Sequence, residues 1–375
     1  MTKIIKIIAG LVGVSVIALV AIISTSDISQ YKGQVIQLVE EATGRQLEIN
    51  GDMRFALSLV PTVVVEDVSF SNADWGSKPE MVSLKKFEIK VALLPLITGD
   101  IQLNRLILID PDIVLETNKK GAGNWVFASK SDDKQEKTTA AETHPPKIVV
   151  NEVHIKNAKI IYIDGITGQH TKLVIDQITA ESDGVDEPLS LMMKAAYNAV
   201  PISVSGQLGS LKQLTANNDY PIDLTIEVSD ASLTLNGKIT KPMDAKGINV
   251  AVKFELNNLA DLSKLAGSDL PDFGPVALSG NLIDGVGSYA IKSLVLTAGN
   301  TDLSGELTVN IASKRPSISA KFNSNLIDLV EFAGDEASQP ANKKDRVFSS
   351  EPLSLDALKS LNANLSINAK HIKTA

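Results

Sequence analysis

A strict two-residue alternation of apolar and polar side chains returns along this chain, and it constrains the fold more than any other feature. In Thr301–Ile311 one face reads Leu303, Gly305, Leu307, Val309 and Ile311, and the other reads Asp302, Ser304, Glu306, Thr308 and Asn310. Successive side chains of a strand point to opposite sides, so this is a strand with one greasy face and one wet one. Ile248–Leu256 repeats the pattern through Ile248, Val250, Val252, Phe254 and Leu256, and Leu361–Ala369 through Leu361, Ala363, Leu365, Ile367 and Ala369. Such patterning predicts a mainly β chain whose sheet has an apolar face, and either protein or lipid must cover that face.

The N-terminus bears on location. Lys3 and Lys6 precede Ile7–Ile23, a run without charge or proline. With Ile4 and Ile5 it approaches the roughly 20 residues that span a bilayer. The expected anchor therefore includes Ile4, Ile7, Leu11, Val14, Ile17, Val20 and Ile23. A cleaved signal peptide is the rival reading, but its apolar part is usually shorter, and Ala21-Ile22-Ile23-Ser24 offers no small-x-small cleavage site. The lysines before the run place the start in the cytoplasm and the remainder outside, which in a two-membrane cell is the periplasm.

After the anchor (1–26), Asp27–Thr43 reads as a helix, with Ile28, Tyr31, Val35, Leu38, Val39 and Ala42 near one face and Gly44 as its stop. It is expected to plug one end of the sheet. Strands are expected from Leu47, through Pro61–Phe70 with a bulge or turn at Glu66-Asp67, then at Leu84–Val91, Ile101–Ile109 and Asp112–Glu116. Asp110-Pro111 reads as a turn between two of them. Gly121–Trp125 reads as a tight turn returning a large ring to the body. Segment 27–128 is thus one block, and 129–147 is a polar insert ending in Pro145-Pro146. Segment 148–375 continues the sheet, with a second polar insert at about 333–346. Leu259–Leu265 and Leu326–Phe332 read as short helical turns. Glycines flanked by apolar residues recur at Gly206, Gly237, Gly280 and Gly305, where strand glycine marks twist, a bulge or close backbone approach.

Catalytic groups are not apparent. The chain has no cysteine, which removes disulfides, thiolate chemistry and cysteine metal sites. His144, His154, His170 and His371 show no ligand-like spacing to one another or to a carboxylate pair. No serine lies in a nucleophile elbow, and Asp284-Gly285-Val286-Gly287 does not open a phosphate-binding helix. A net charge of −8 argues against nucleic acid as a partner. No enzyme activity, cofactor or metal is expected.

Thr43-Gly44-Arg45-Gln46-Leu47-Glu48-Ile49-Asn50-Gly51 resembles the ATGR-x-L-x-I-x-G stretch that opens AsmA-like proteins of Gram-negative bacteria. The likeness continues through Pro61, Asp67–Asn72 and Leu94-Pro95-Leu96 to Gly121–Trp125, where that family shows a G-x-x-NW pattern, and returns at Phe348–Leu365. The resemblance implies an inner-membrane protein held by one N-terminal helix, related to bridge-type lipid transfer proteins. Its fold would be an elongated, strongly twisted antiparallel β-sheet forming an apolar groove, with a short helix after the anchor. It also implies phospholipid acyl chains as the cargo, the inner membrane as a partner, and outer-membrane or periplasmic proteins as further candidates. Family members usually run longer, so a fragment is expected. The lipid-groove candidates are Val250, Val252, Phe254, Leu303, Leu307, Val309, Ile311, Leu365 and Ile367. The alternative is a closed β-sandwich acting as a non-enzymatic scaffold in outer-membrane protein biogenesis.

Overall fold

The computed structural model describes residues 32–56, 60–92, 101–127, 148–312, 315–331 and 362–374. The anchor residues and both polar inserts lie outside the described residues. Among the described residues no helix is long and apolar enough to cross a membrane. The chain is mainly β, with few helices, and divides into two compact units at Ala199/Val200.

The first unit opens with helix α1 (Lys32–Thr43), which ends where Gly44 takes a left-handed φ of 69° and donates its N–H to the Glu40 carbonyl. Among the described residues ten strands follow: β1 (Leu47–Ile49), β2 (Met53–Ala56), β3 (Thr62–Ser71), β4 (Glu80–Val91), β5 (Ile101–Ile109), β6 (Asp112–Glu116), β7 (Ile148–Val150), β8 (Glu152–Ile163), β9 (His170–Glu181) and β10 (Pro188–Tyr197). Both β1 and β2 pair with β3. The sheet then proceeds through β4, the collinear β5 and β6, the collinear β7 and β8, and on to β9 and β10. Asp110-Pro111 is therefore not a turn between neighbouring strands. It is a kink inside one line, because proline has no N–H for the ladder and Asp110 adopts φ 52°.

That kink belongs to a seam. The inward alternation shifts phase between Val65 and Val68 on β3, Leu84 and Phe87 on β4, Leu108 and Ile113 across β5 and β6, Ile155 and Ala158 on β8, and Ile175 and Ile178 on β9. Asp67, Asp110 and Asn157 occupy the shift with φ of 49°, 52° and 54°. Asn and Asp tolerate the left-handed region better than other non-glycine residues. The Asn157 Nδ2 donates to Asp110 Oδ1 at 2.8 Å, joining two seam residues across strands. The expected break at Glu66-Asp67 is one point on this line.

The second unit contains β11 (Val200–Ser210), β12 (Tyr220–Val228), β13 (Ala231–Lys241), β14 (Lys246–Leu256), β15 (Val276–Gly285), β16 (Ser288–Ala298), β17 (Thr301–Asn310), β18 (Ser317–Asp328) and β19 (Asn362–Lys373). From β11 to β18 it is an antiparallel meander, while β18 and β19 pair in parallel. The expectation of a purely antiparallel sheet is corrected: the fold is mixed, with parallel pairs at β5–β7, β5–β8, β6–β8 and β18–β19. Parallel neighbours need a crossover of a dozen or more residues. The stretches between β6 and β7 and between β18 and β19 contain the two polar inserts, so those inserts fall where the chain must return to the starting end. A second correction concerns the first part of Leu326–Phe332: β18 continues through Asp328, a turn covers 329–331, and Phe332 lies outside the described residues. Pairing with β19 and the bond from the Leu326 N–H to Asp302 Oδ1 at 2.9 Å override the local helical pattern. Leu259–Ala266 does form short helical turns.

The strand glycines mark close backbone approach. At Gly305 (φ 158°) a Cβ would overlap the Lys321 carbonyl oxygen of the neighbouring strand. Gly305→Val is expected to cost about 3 kcal/mol, from a φ that L-residues rarely adopt plus displacement of β18. That corresponds to a melting temperature lower by about 5–10 °C. Differential scanning calorimetry checks this, and an unchanged transition would contradict the packing described.

Candidate functional site

Cross-strand register carries the apolar side of the second unit from strand to strand. Leu208, Ile222, Gly237, Val250, Leu282, Ile291, Leu307, Ala320 and Leu365 are successive partners from β11 to β19. The row through Val204, Ile226, Leu233, Phe254, Leu278, Leu296 and Leu303 runs beside it. A bulge at Ser293 (φ 51°) keeps Leu294, Leu296 and Ile291 on one side. The reverse side is mostly polar: Asp223, Asn236, Ala251, Asn281, Lys292, Glu306, Lys321 and Ser366 fall in one row, with Lys292 and Glu306 ion-paired.

All nine candidates from the sequence occupy or extend the apolar rows. Val252, Phe254, Leu303, Leu307 and Val309 are half-buried, while Val250 is 4% exposed. Leu365 and Ile367 on β19 are 62% and 45% exposed. Ile311 lies one residue past β17, its N–H bonded to the Gly287 carbonyl and its side chain 53% exposed. The rows are apolar and aliphatic, and most of their side chains keep accessible surface.

The first unit has an equivalent face. Phe55, Val63, Ile89, Leu106, Val153, Ala180 and Leu191 form one row, and Leu47, Phe70, Val82, Ile113, Ile160, Leu173 and Tyr197 another. Helix α1 lies over the β1–β4 end of this face. Val35 and Val39 of the helix and Leu47, Ile49, Val65, Val68, Phe70, Val82, Leu84 and Phe87 of the sheet line a half-open apolar cavity of about 260 Å³.

The motif residues meet beside α1 in a buried polar lock. Asn124, fully buried, donates from Nδ2 to the Val114 carbonyl at 2.8 Å and to Asn72 Oδ1 at 2.9 Å, and its Oδ1 accepts the Glu116 N–H at 3.1 Å. The Glu116 carboxylate accepts Asn72 Nδ2 at 2.7 Å and the Ser77 N–H at 2.8 and 3.0 Å. Arg45 reaches the Asn124 carbonyl from Nη2 at 3.2 Å, with its guanidinium 5.7 Å from the Phe127 ring centre. Burial lowers the Arg45 pKa from its ordinary value, opposed by the charge of Asp74. Thr43 Oγ1 donates to the Val39 carbonyl at 2.6 Å, so the lock fixes the C-terminal end of α1. Gly51 closes the motif, where a Cβ would lie 2.6 Å from the Glu66 carbonyl oxygen. Trp125 packs with Val39, Phe70 and Met81, as its turn predicts. The signal for the lock was present in the resemblance, but its partners are spread over 80 positions and only the fold joins them.

On the polar face of the first unit, His154 Nε2 lies 2.7 Å from Glu152 Oε1 and 3.2 Å from Glu181 Oε1. Sequence spacing missed this group, because Glu181 is the cross-strand partner of Glu152. The three ligand atoms lie within 4.8 Å of one another, which a metal ion could use. Arg105 Nε already holds Glu152 Oε2 at 2.5 Å. Burial pushes the Glu152 carboxyl up, but the Arg105 and His154 hydrogen bonds outweigh it and leave the pKa below its ordinary value. The cluster is thus internally compensated as an ion-pair network, and like charges opposite one another on a sheet need such compensation.

The AsmA family model matches residues 1–370. AsmA family protein YhjG of Escherichia coli (strain K12) is 22% identical over 380 residues, covering 92% of this chain and 55% of that protein. The chain therefore spans about half the length of this relative.

Proposed function

The chain belongs to the AsmA family, and from that premise we propose that it carries phospholipid, with the acyl chains lying along the apolar sheet faces as along a groove. In this reading Ile4–Ile23 anchors it in the inner membrane, the bulk occupies the periplasm, and lipid passes between inner and outer membranes without enzymatic chemistry. The observation that carries the reading is the uninterrupted apolar register from β11 to β19 combined with half-exposure of its side chains. Apolar area of this extent is unusual on a soluble surface and marks an interaction face. Each methylene sheltered there contributes about 0.8 kcal/mol without requiring a directional contact. An aliphatic face therefore holds a chain while leaving it free to slide.

The test is capture of lipid by the full chain in phosphatidylethanolamine and phosphatidylglycerol vesicles, with photo-crosslinking residues at Val252 or Leu307 and a control at Glu306. Phospholipid adducts are expected at the first two positions and at most a tenth as much at Glu306. Adducts at none of them, with a protein partner captured instead, would replace the carrier reading with that of an assembly scaffold.

A further inference from the structure

Beyond the open sheet faces, we propose that the cavity beneath α1 is a seat for the end of a single acyl chain, and the site where cargo first meets the protein; this rests on the carrier reading above. All ten lining residues are apolar, so no side chain of the cavity offers a partner to water or to a headgroup. At about 260 Å³ it has room for roughly eight or nine groups of water size, ~30 Å³ each, and a methylene is of similar bulk. That suits the distal half of one lipid tail and is too small for a whole lipid.

The helix is held unevenly, in a way that leaves this seat approachable from one side. Its only buried side chains are Val39 and Thr43, both in the C-terminal half. That half is tied down by Thr43, by the Gly44 N–H on the Glu40 carbonyl and by Arg45 on Asn124. From Lys32 to Leu38 no side chain is buried, yet Val35 lines the cavity. The approachable side is also the membrane side. Eight residues, 24–31, separate the apolar Ile4–Ile23 run from Lys32, and at most about 3.3–3.6 Å per residue they span no more than about 30 Å. Along the chain α1 is thus the first described element after the apolar run, and the apolar cavity it covers is the one a lipid tail reaches first in this reading. From there the cavity wall leads onto the same face, since Phe87 and Val82 pair onward with Leu108 and Ile113.

The full chain carrying a benzoylphenylalanine at Leu84, Leu307 or Lys86 is mixed with radiolabelled phosphatidylethanolamine/phosphatidylglycerol vesicles and illuminated. Leu84 and Leu307 are expected to capture lipid, and Lys86, on the polar face, at least tenfold less. Val35→Trp, which directs an indole into the cavity from a half-buried helix position, is expected to lower capture at Leu84 at least fivefold and to leave Leu307 unchanged. Lipid at Leu307 but not at Leu84 would overturn the seat and leave the carrier reading standing. Lipid at neither position would overturn both. As a readout that leaves the sheet residues intact, binding of cis-parinaric acid to the native chain and to Val35→Trp should differ by one site. Equal binding would overturn the seat.

Discussion

Val252→Asp combined with Leu307→Asp is expected to reduce lipid transfer at least tenfold while the protein remains folded. Both positions lie on the apolar rows and are half-buried, so each new carboxylate can keep water contact when no lipid is present. That separates them from Val250, 4% exposed, where a charge would be trapped in the packing and would test stability instead. With an acyl chain in place the hydration is lost. If each aspartate keeps two or three methylenes off the face, the pair removes about 3–5 kcal/mol of sheltering at ~0.8 kcal/mol per group. A factor of ten corresponds to about 1.4 kcal/mol, so the stated loss is a conservative one. Transfer of fluorescent phospholipid between donor and acceptor vesicles measures the effect, and circular dichroism measures the fold. Unimpaired transfer by a folded double variant would remove this face from the lipid path.

Asn124→Ala is expected to destabilise the first unit by about 3–5 kcal/mol, because it leaves two or three buried polar groups without a partner at roughly 1–3 kcal/mol each. Those groups are the Val114 carbonyl and the Glu116 N–H, together with one bond to Asn72 Oδ1, which retains the Ala73 N–H. The position is fully buried, so water has no ready route to replace the amide. For a unit of this size the melting temperature should fall by about 6–20 °C. Because Arg45 takes the backbone carbonyl of Asn124, the loss should also loosen the end of α1. Hydrogen exchange at the Gly44 and Arg45 amides should accelerate with the global change. A fall of less than 1–2 °C would mean that the lock is not a cooperative part of the fold.

The alternation makes the faces of β14, β17 and β19 legible in the sequence, because a period of two has one structural reading. It did not reveal the parallel pairing of β18 with β19, since parallel and antiparallel strands share that period. Proline misled at position 111: the missing N–H signals a break in a ladder, and both a turn and a kink satisfy it. The lock and the Glu152–His154–Glu181 group were unreadable for a different reason. Each depends on which strands become neighbours, and Glu152 and Glu181 are 29 positions apart. The cavity under α1 was half legible, as the helix and its apolar stripe were expected but the gap beneath them was not.

The seam through Asp67, Asp110 and Asn157 sets a rule for which lengths of chain this sheet accepts. Each strand there carries one extra residue between inward positions, so neighbouring strands stay in step across the line only while each keeps that residue. Deleting Asn157 alone would leave Ala158, Ile160 and Tyr162 on the side of Val153 and Ile155, but one pairing position out of step with β9, where Asp176 still separates Gln177 from Ile175. The same holds for Asp67, which stands opposite Lys85 of β4 between the pairs Glu66–Lys86 and Val68–Leu84. A change of one residue is thus far harsher at this line than a change of side chain, and matched losses in the neighbouring strands would restore the pattern. The seam works as a reading frame for the face: it fixes how the strands count, and with that which side of the sheet stays apolar from one edge of the unit to the other.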